Sequence, residues 1–315
     1  MDGFVFRERE SAEASELREK LSAAGFKFNS LNPKPRKSRF LAADSSFAVK
    51  ELRYHALWAA HAAALHALYD GSMHHDALVG HGALPYTGLL YSSYVVAGEF
   101  IPYSDLDVRG NSIRVEFEFD SLMKALGELD SEGLKPDFIL VDGSLYTNLR
   151  NLEGRESVYE EHARASASFR RVLASGRVVG MVEDSHATDL SRELGFNFTN
   201  MLLFDLSLKP GEYVVDLRDG ISICYVKLPP KRLPYLAAGE SRPLTVRWEF
   251  NYPGFEGDLD LLAGVWLRED DLLHPQLYPV RIADYLTRGI RVSGLLDRVA
   301  AERNLELRHR ELREA

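Results

Sequence analysis

The chain has 315 residues with 38 basic and 47 acidic side chains, a net charge of -9, and 45% hydrophobic and 27% charged residues. Such a composition is near the globular average and long enough to bury a large core, which excludes a disordered, collagenous or disulfide-stapled protein. The acidic balance excludes a protein that coats nucleic acid by bulk charge, so any contact with a phosphate backbone must be local.

Residues 11–24 carry Leu17 and Leu21 four apart among charged residues, with Gly25 as a stop, and predict an amphipathic helix. Between residues 27 and 39 stand Lys27, Lys34, Arg36, Lys37 and Arg39 with two prolines and no acid, the pattern of an exposed basic arm suited to a phosphate backbone. Phe40 to Ala43 predicts a short strand ending at Asp44, and Ser46 the cap of a long helix over 47–69. Six of the ten histidines fall between His55 and His81, but His55, His61 and His66 do not share one turn of that helix, so no zinc site is expected.

Tyr91 to Pro102 predicts a strand, with Gly98 prone to a bulge. Ile113, Val115, Phe117 and Phe119 alternate with Arg114, Glu116, Glu118 and Asp120, which predicts a strand with one apolar and one mostly acidic face, followed by a helix to Leu129. Phe138 to Val141 is a continuous apolar run of the central-strand kind, closed by Asp142, Gly143 and Ser144. A helix is predicted over 156–174, and another buried strand over 177–182 ending at Glu183, Asp184 and Ser185. Strands are predicted over 201–206, 212–217, 221–228 and 245–250, and helices over 278–288 and 292–308. The fold class is α/β. Cys224, the single cysteine, reads as a small buried hydrophobe, and no apolar run reaches the roughly 20 residues of a membrane span. With acids and arginines at the N-terminus in place of a signal-peptide core, a cytoplasmic location is expected.

Three acids follow apolar strands in the same way: Asp44 after Phe40 to Ala43, Asp142 after Phe138 to Val141, and Glu183 after Val179 to Val182. In an α/β sheet, ligands bind beyond the carboxyl ends of the strands, where such acids converge. Crowded carboxylates repel one another unless a divalent cation neutralises them, and an oxygen-only donor set suits Mg²⁺ or Mn²⁺. Metals so held activate water and stabilise a departing oxygen in phosphodiester cleavage.

The motifs Ala42-Ala43-Asp44-Ser45-Ser46, Leu140-Val141-Asp142-Gly143-Ser144-Leu145 and Leu277-Tyr278-Pro279-Val280-Arg281-Ile282-Ala283-Asp284, in that order, resemble those of the NurA nuclease family, over about residues 38 to 295. The resemblance implies an RNase H-like mixed sheet flanked by helices, with additional C-terminal strands and helices. Residues 1–37 then form an N-terminal helix and basic arm, and residues 38–315 the nuclease domain. It also implies a Mn²⁺-dependent (or Mg²⁺-dependent) DNA nuclease with single-strand endonuclease and 5′-to-3′ exonuclease activity. The implied partners are a second copy of the chain and a HerA-type hexameric ATPase, acting together in DNA end resection.

Carried over by position, Asp44 and Asp142 are the metal-binding aspartates and Glu118 completes the acidic set, with Glu116 as its rival. Asp284 stands where the family has a histidine, Glu183 where it has a lysine, and Ser45 where glycine is usual. Tyr278 orients Asp284 or a phosphate, and Arg36, Lys37, Arg39 and Arg170 guide the DNA backbone. Two other readings remain open. One is a catalytically silent member acting in assembly or DNA clamping, and the other is a metal-free hydrolase using a carboxylate pair, with Trp248, Tyr252 and Trp266 as a sugar platform.

Overall fold

The structure is a computed structural model describing residues 14–52, 56–75, 83–100, 106–152, 159–183, 185–231, 243–269, 274–289 and 292–302. In chain order its elements are α1 (14–23), β1 (Asn29–Ser30), β2 (Ser38–Glu51), β3 (Ala56–His75), β4 (Ala83–Phe100), α2 (Leu106–Ser131), β5 (Phe138–Asp142), α3 (Leu145–Leu152) and α4 (Glu160–Ser175). There follow β6 (Val178–Val182), α5 (Asp189–Glu193), α6 (Asn200–Ser207), β7 (Glu212–Arg218), β8 (Ile221–Leu228), β9 (Leu244–Phe250), α7 (Glu256–Trp266), α8 (Tyr278–Gly289) and α9 (Val292–Glu302).

The strands form one nine-stranded sheet in the order β1-β7-β8-β9-β6-β5-β2-β3-β4. β2, β3 and β4 make an antiparallel meander, while β5 lies parallel to β2 and β6 parallel to β5. That five-strand arrangement is an RNase H-like core, as expected, and β9, β8, β7 and β1 extend it antiparallel from β6.

Alternation along the central strands feeds a separate core on each face of the sheet. Phe40, Ala42, Phe138 and Leu140 pack with Trp248, Leu262, Trp266 and Val280 in one core. Leu41, Ala43, Ile139 and Val141 pack with Val115, Phe119, Phe169 and Phe204 in the other. Parallel strands covered on both faces need the continuous apolar runs that the sequence has there.

Three predicted elements are wrong, each because tertiary packing overrides a local signal. The alanine-rich segment expected as a helix over 47–69 is instead the end of β2 and most of β3, paired without a shift from Ser38↔Tyr69 to Glu51↔Ala56. Ala59, Ala60, Ala62, Ala63, Ala64 and Ala67 are buried, so small side chains serve a strand with neighbours on both faces. The alternating segment 113–119 is not a strand but the middle of α2. Its acids do not face water: Glu116 is bonded to Arg164 on α4 at 2.8 Å and Glu118 to Ser45 on β2 at 2.8 Å. Residues 201–206 are helical in α6, where the Thr199 hydroxyl accepts from the Leu202 N–H and Leu203, Phe204 and Ser207 recur on the buried side at helical spacing.

The other strands and the helices over 160–175 and 278–289 agree with expectation, and α9 covers the described part of the predicted helix 292–308. β4 starts earlier than the predicted strand over 91–102, and its register runs unbroken through Gly98, the position expected to bulge. His55 and His81 lie outside the described residues, whereas His61 and His66, five apart on β3, point to opposite faces of the strand. Cys224 is a buried free thiol on β8. Among the described residues no helix is long and apolar enough to cross a membrane.

The segment before β2 is stitched to the body. β1 pairs with β7, the Leu31 N–H donates to the Gly211 carbonyl at 2.8 Å, and the Asn32 N–H donates to the Asp260 carboxylate at 2.7 Å. Lys34, Arg36 and Lys37 are exposed, at the amino end of β2. From Arg39 the strand runs five residues, roughly 17 Å, before it reaches Asp44.

Candidate functional site

The parallel register of β2 and β5 ends at Ala43↔Val141, and the next residue on each strand is an aspartate. Asp44 and Asp142 are therefore neighbours across a strand spacing of about 4.8 Å, on the face that carries Ala42 and Leu140. The turn beyond Asp142 needs glycine: Gly143 has φ +99°, a left-handed conformation that side chains resist. A Cβ at Gly180 on β6 would stand 2.7 Å from the Gly143 carbonyl oxygen, so β6 must also be bare where this turn crosses it. Ser45 needs no glycine, because β2 continues extended through it.

Burial is the largest influence on both aspartates and raises them. Asp142 is pushed up to about 7, with further increments from the charges of Asp44, Asp284 and Glu183 and an opposing effect from Arg114. Asp44, 5% exposed, is raised as well, against the lowering effect of its hydrogen bond from Thr287. Each is held in place: the Thr287 hydroxyl donates to Asp44 Oδ2 at 2.6 Å, and the Gln276 amide donates to Asp142 Oδ1 at 2.5 Å.

Glu118 lies on α2 behind Ser45, whose hydroxyl donates to Glu118 Oε2 at 2.8 Å, and Arg114 Nη1 approaches the same oxygen at 3.1 Å. Its carboxyl is raised to about 8 by burial, with Asp44 and Asp142 adding to the shift and Arg114 opposing it. Glu116 is directed at Arg164, Asp120 and Glu161 instead, so of the two rivals it is Glu118 whose charge is felt by the aspartate pair. Asp284 on α8 is bonded to Arg288 Nε at 2.6 Å, and its charge raises both Asp44 and Asp142. Glu183, exposed at the end of β6, is 3.6 Å from His274 Nδ1.

The structure thus gathers Asp44, Asp142, Asp284 and Glu118 into one electrostatic cluster. Among the described residues, however, no three His, Cys, Asp or Glu side chains stand close enough to hold a metal ion together. The reason is visible in the contacts: Arg114 and Ser45 keep Glu118 on the α2 side of β2, and Arg288 holds Asp284. The donor chemistry nevertheless fits a divalent cation of the Mg²⁺ or Mn²⁺ kind. All the donors are oxygens, and every carboxyl coupled in the group carries repulsion that a cation would relieve.

Sequence reasoning missed Thr287, Gln276, Arg114 and Glu269. Thr287 follows Asp284 by three residues, one helical step that the predicted helix over 278–288 already implied. Gln276 stands two residues before Tyr278, the start of α8. Arg114 precedes Glu118 by four, a spacing that places the two side by side only on a helix.

Glu269, 1% exposed, accepts from the Tyr86 hydroxyl at 2.6 Å and from the Tyr278 N–H at 2.9 Å, and so anchors the first residue of α8. Replacing it with alanine leaves both donors buried without an acceptor and is expected to cost about 2–4 kcal/mol in urea unfolding, whereas Glu269→Gln keeps an acceptor and should stay within about 1 kcal/mol of the parent. Thr287→Val should leave the fold intact and weaken about 10- to 100-fold whatever divalent-cation affinity the parent shows in a metal titration, because Asp44 loses the donor that orients it.

A model of the NurA domain matches residues 38–284. Solved structures of the same architecture include the NurA nuclease from Sulfolobus solfataricus, 14% identical, with 96% of each chain covered and a TM-score of 0.56. A structure of NurA with manganese is 12% identical over 96% of this chain and 98% of that one, with a TM-score of 0.52. A third, of NurA bound to dAMP and manganese, is 13% identical over 91% of this chain and 94% of that one, at 0.50. No curated protein matches the sequence significantly.

Proposed function

We propose, because the chain belongs to the NurA family, that it is a divalent-metal-dependent deoxyribonuclease working at the carboxyl ends of β2 and β5. What carries this reading is the pair of Asp44, buried, and Asp142, half-buried, side by side on neighbouring parallel strands and destabilised there by their own charge. Asp44 and Asp142 would hold the cation, with Glu118 and Asp284 completing the oxygen set. When bound, the cation neutralises the carboxylates, makes water a nucleophile at neutral pH and stabilises the departing oxygen of the phosphodiester. Thr287 and Gln276 fix the two aspartates so that this geometry is not rebuilt at every turnover. Ser45 and Arg114 hold Glu118 against β2.

The manganese in two of the similar structures supports Mn²⁺ as the working ion, with Mg²⁺ as its substitute, and the dAMP in one of them supports a DNA substrate. The finer reading is single-strand endonuclease and 5′-to-3′ exonuclease activity in DNA end resection, in the cytoplasm, with a HerA-type hexameric ATPase as partner. In it, residues 38–315 form the nuclease domain and residues 1–37 an appended helix and basic arm. A homodimer is supported by the outer strand β4, which leaves Leu90 and Tyr91 about half exposed on a strand whose outer edge pairs with no other among the described residues. The arm's cations sit at the amino end of β2, so they would meet DNA on another face of the molecule than the acids.

A catalytically silent subunit is the second reading, favoured by Asp284 being engaged with Arg288 and by the acid at position 183. Incubating end-labelled single- and double-stranded DNA with the protein separates the two. Degradation with Mn²⁺ that stops in EDTA supports the nuclease. DNA left intact with either metal, alone and with the ATPase, overturns it in favour of the silent subunit.

A further inference from the structure

Beyond the carboxyl ends of β5 and β6 a cleft of about 380 Å³ opens between the first turn of α3, the loop after β6, α5, and strands β7, β8 and β9, on the sheet face of Ile223 and Tyr225, opposite to that of Asp44 and Asp142. On a chain of net charge -9, its ionisable lining is Arg192, Arg218, Arg247 and His186 against Asp189 alone. Asp189 accepts from Asn200 Nδ2 at 2.7 Å and is paired with Arg218, which is also bonded to Asp216 on β7 at 2.6 Å, so Arg218 is already neutralised. Arg192 is exposed, and among the described residues neither its guanidinium nor the His186 ring is engaged by another side chain.

The inner wall reaches the turn after Asp142. Arg247, 4% exposed, is paired with the buried Glu249 at 2.5 Å, lies 5.9 Å over the Tyr225 ring, and donates to Ser185 Oγ at 3.0 Å and Ser144 Oγ at 3.3 Å. It therefore ties the turn after Asp142 to the loop after β6. Tyr146 adds a half-buried ring, 5.9 Å from the Arg218 guanidinium, of the kind on which bases stack. A second basic cleft, lined by Arg39, Lys135 and Arg177, has a different logic. It lies at the amino ends of β5 and β6, where α2 and α4 end, and its cations complement the negative ends of those helices.

We propose that the cleft bounded by Arg192, Arg218, Arg247 and Tyr146 is a strand-holding subsite. It takes a phosphate of a single DNA strand on the exposed Arg192, with the base against Tyr146. The identity of the ligand rests on the nuclease reading, but the phosphate chemistry does not. Arg192→Glu reverses an exposed charge without touching the core, and Lys135→Glu makes the same kind of change in the other cleft.

Binding of a fluorescein-labelled oligothymidylate is measured in EDTA by anisotropy across a salt series, so that cleavage plays no part. Arg192→Glu should weaken binding roughly tenfold and flatten the salt slope by about 0.7 for each phosphate no longer neutralised, while Lys135→Glu stays near the parent. Under Mn²⁺, the same Arg192→Glu variant should raise KM with kcat within about twofold. Thymidine 5′-monophosphate as competitor tells a terminal nucleotide, which displaces the oligomer, from an internal phosphodiester, which leaves it bound. If Arg192→Glu binds like the parent, or if both variants weaken binding equally, the subsite is overturned. Should Arg192→Glu alone lose binding while the parent never cleaves, the subsite stands and it is the nuclease reading that falls.

Discussion

Replacing Asp142 with asparagine is expected to lower Mn²⁺-dependent cleavage by roughly a thousandfold or more and, in the same protein, to raise the melting temperature in EDTA. The two effects have one cause. Asp142 is forced to be near its neighbour by the register of β2 and β5, and burial with the charges of Asp44, Asp284 and Glu183 pushes it up to about 7. Above that pH it is ionised in a place that disfavours charge, a cost that a cation would offset under the proposed function. Asparagine keeps the shape and can still pair with Gln276, removes the repulsion, and should stabilise the metal-free protein by on the order of 1–3 kcal/mol, a few degrees in a thermal melt. An aspartate with a merely structural role would give the opposite sign, with stability falling and cleavage following it down.

The second large effect is on stability across pH. Glu118 is held up at about 8, and Asp142 and Glu269 at about 7, against roughly 4 for a carboxyl in an unfolded chain. Between about pH 4 and 8 the folded state therefore binds more protons than the unfolded state, so stability is greatest at the acid end of that window and declines as pH rises through it. In EDTA the loss from about pH 5.5 to 8 from these three groups should be several kcal/mol, up to about 7, read as a falling urea midpoint. Adding Mn²⁺ reverses the trend only where the carboxylates are ionised. At a hundredfold excess over its dissociation constant a ligand stabilises by about 2.7 kcal/mol, which should appear near pH 8 and largely vanish near pH 5.5, where protons occupy the same oxygens. A Mn²⁺ effect of equal size at both pH values would place the ion somewhere other than this cluster of carboxyl groups.

Much of the fold was legible because buried parallel strands have a plain signature. Phe138 to Val141 and Val178 to Val182 cannot be solvent-facing, and each ends in residues that turn the chain, so the carboxyl-end crevice and its acids could be placed before any contact was known. The long hairpin of β2 and β3 was not legible. Its alanines favour a helix when read locally, and only the partners on both faces make small side chains in a strand useful. The error over residues 113–119 has the reverse origin. Period-two alternation normally means one wet face, but here Glu116 and Glu118 turn inward to Arg164 and Ser45, and a buried acid looks the same in sequence as an exposed one. That misreading hid Arg114, because a residue four positions before Glu118 is its neighbour only on a helix. Asp44 and Asp142 were recognisable from their motifs, whereas Gln276 and Glu269 act across 134 and 183 positions of sequence and carry no local signal.

The most direct measurement is calorimetric titration of Mn²⁺ into the protein and into its Asp142→Asn and Asp44→Asn variants near pH 8, with cleavage of an end-labelled single strand followed on the same samples. Binding by the parent, together with cleavage that saturates as the ion binds, and the loss of both in each variant, is the expected result. Undiminished Mn²⁺ binding or undiminished cleavage in either variant would contradict a metal site built on the Asp44–Asp142 pair.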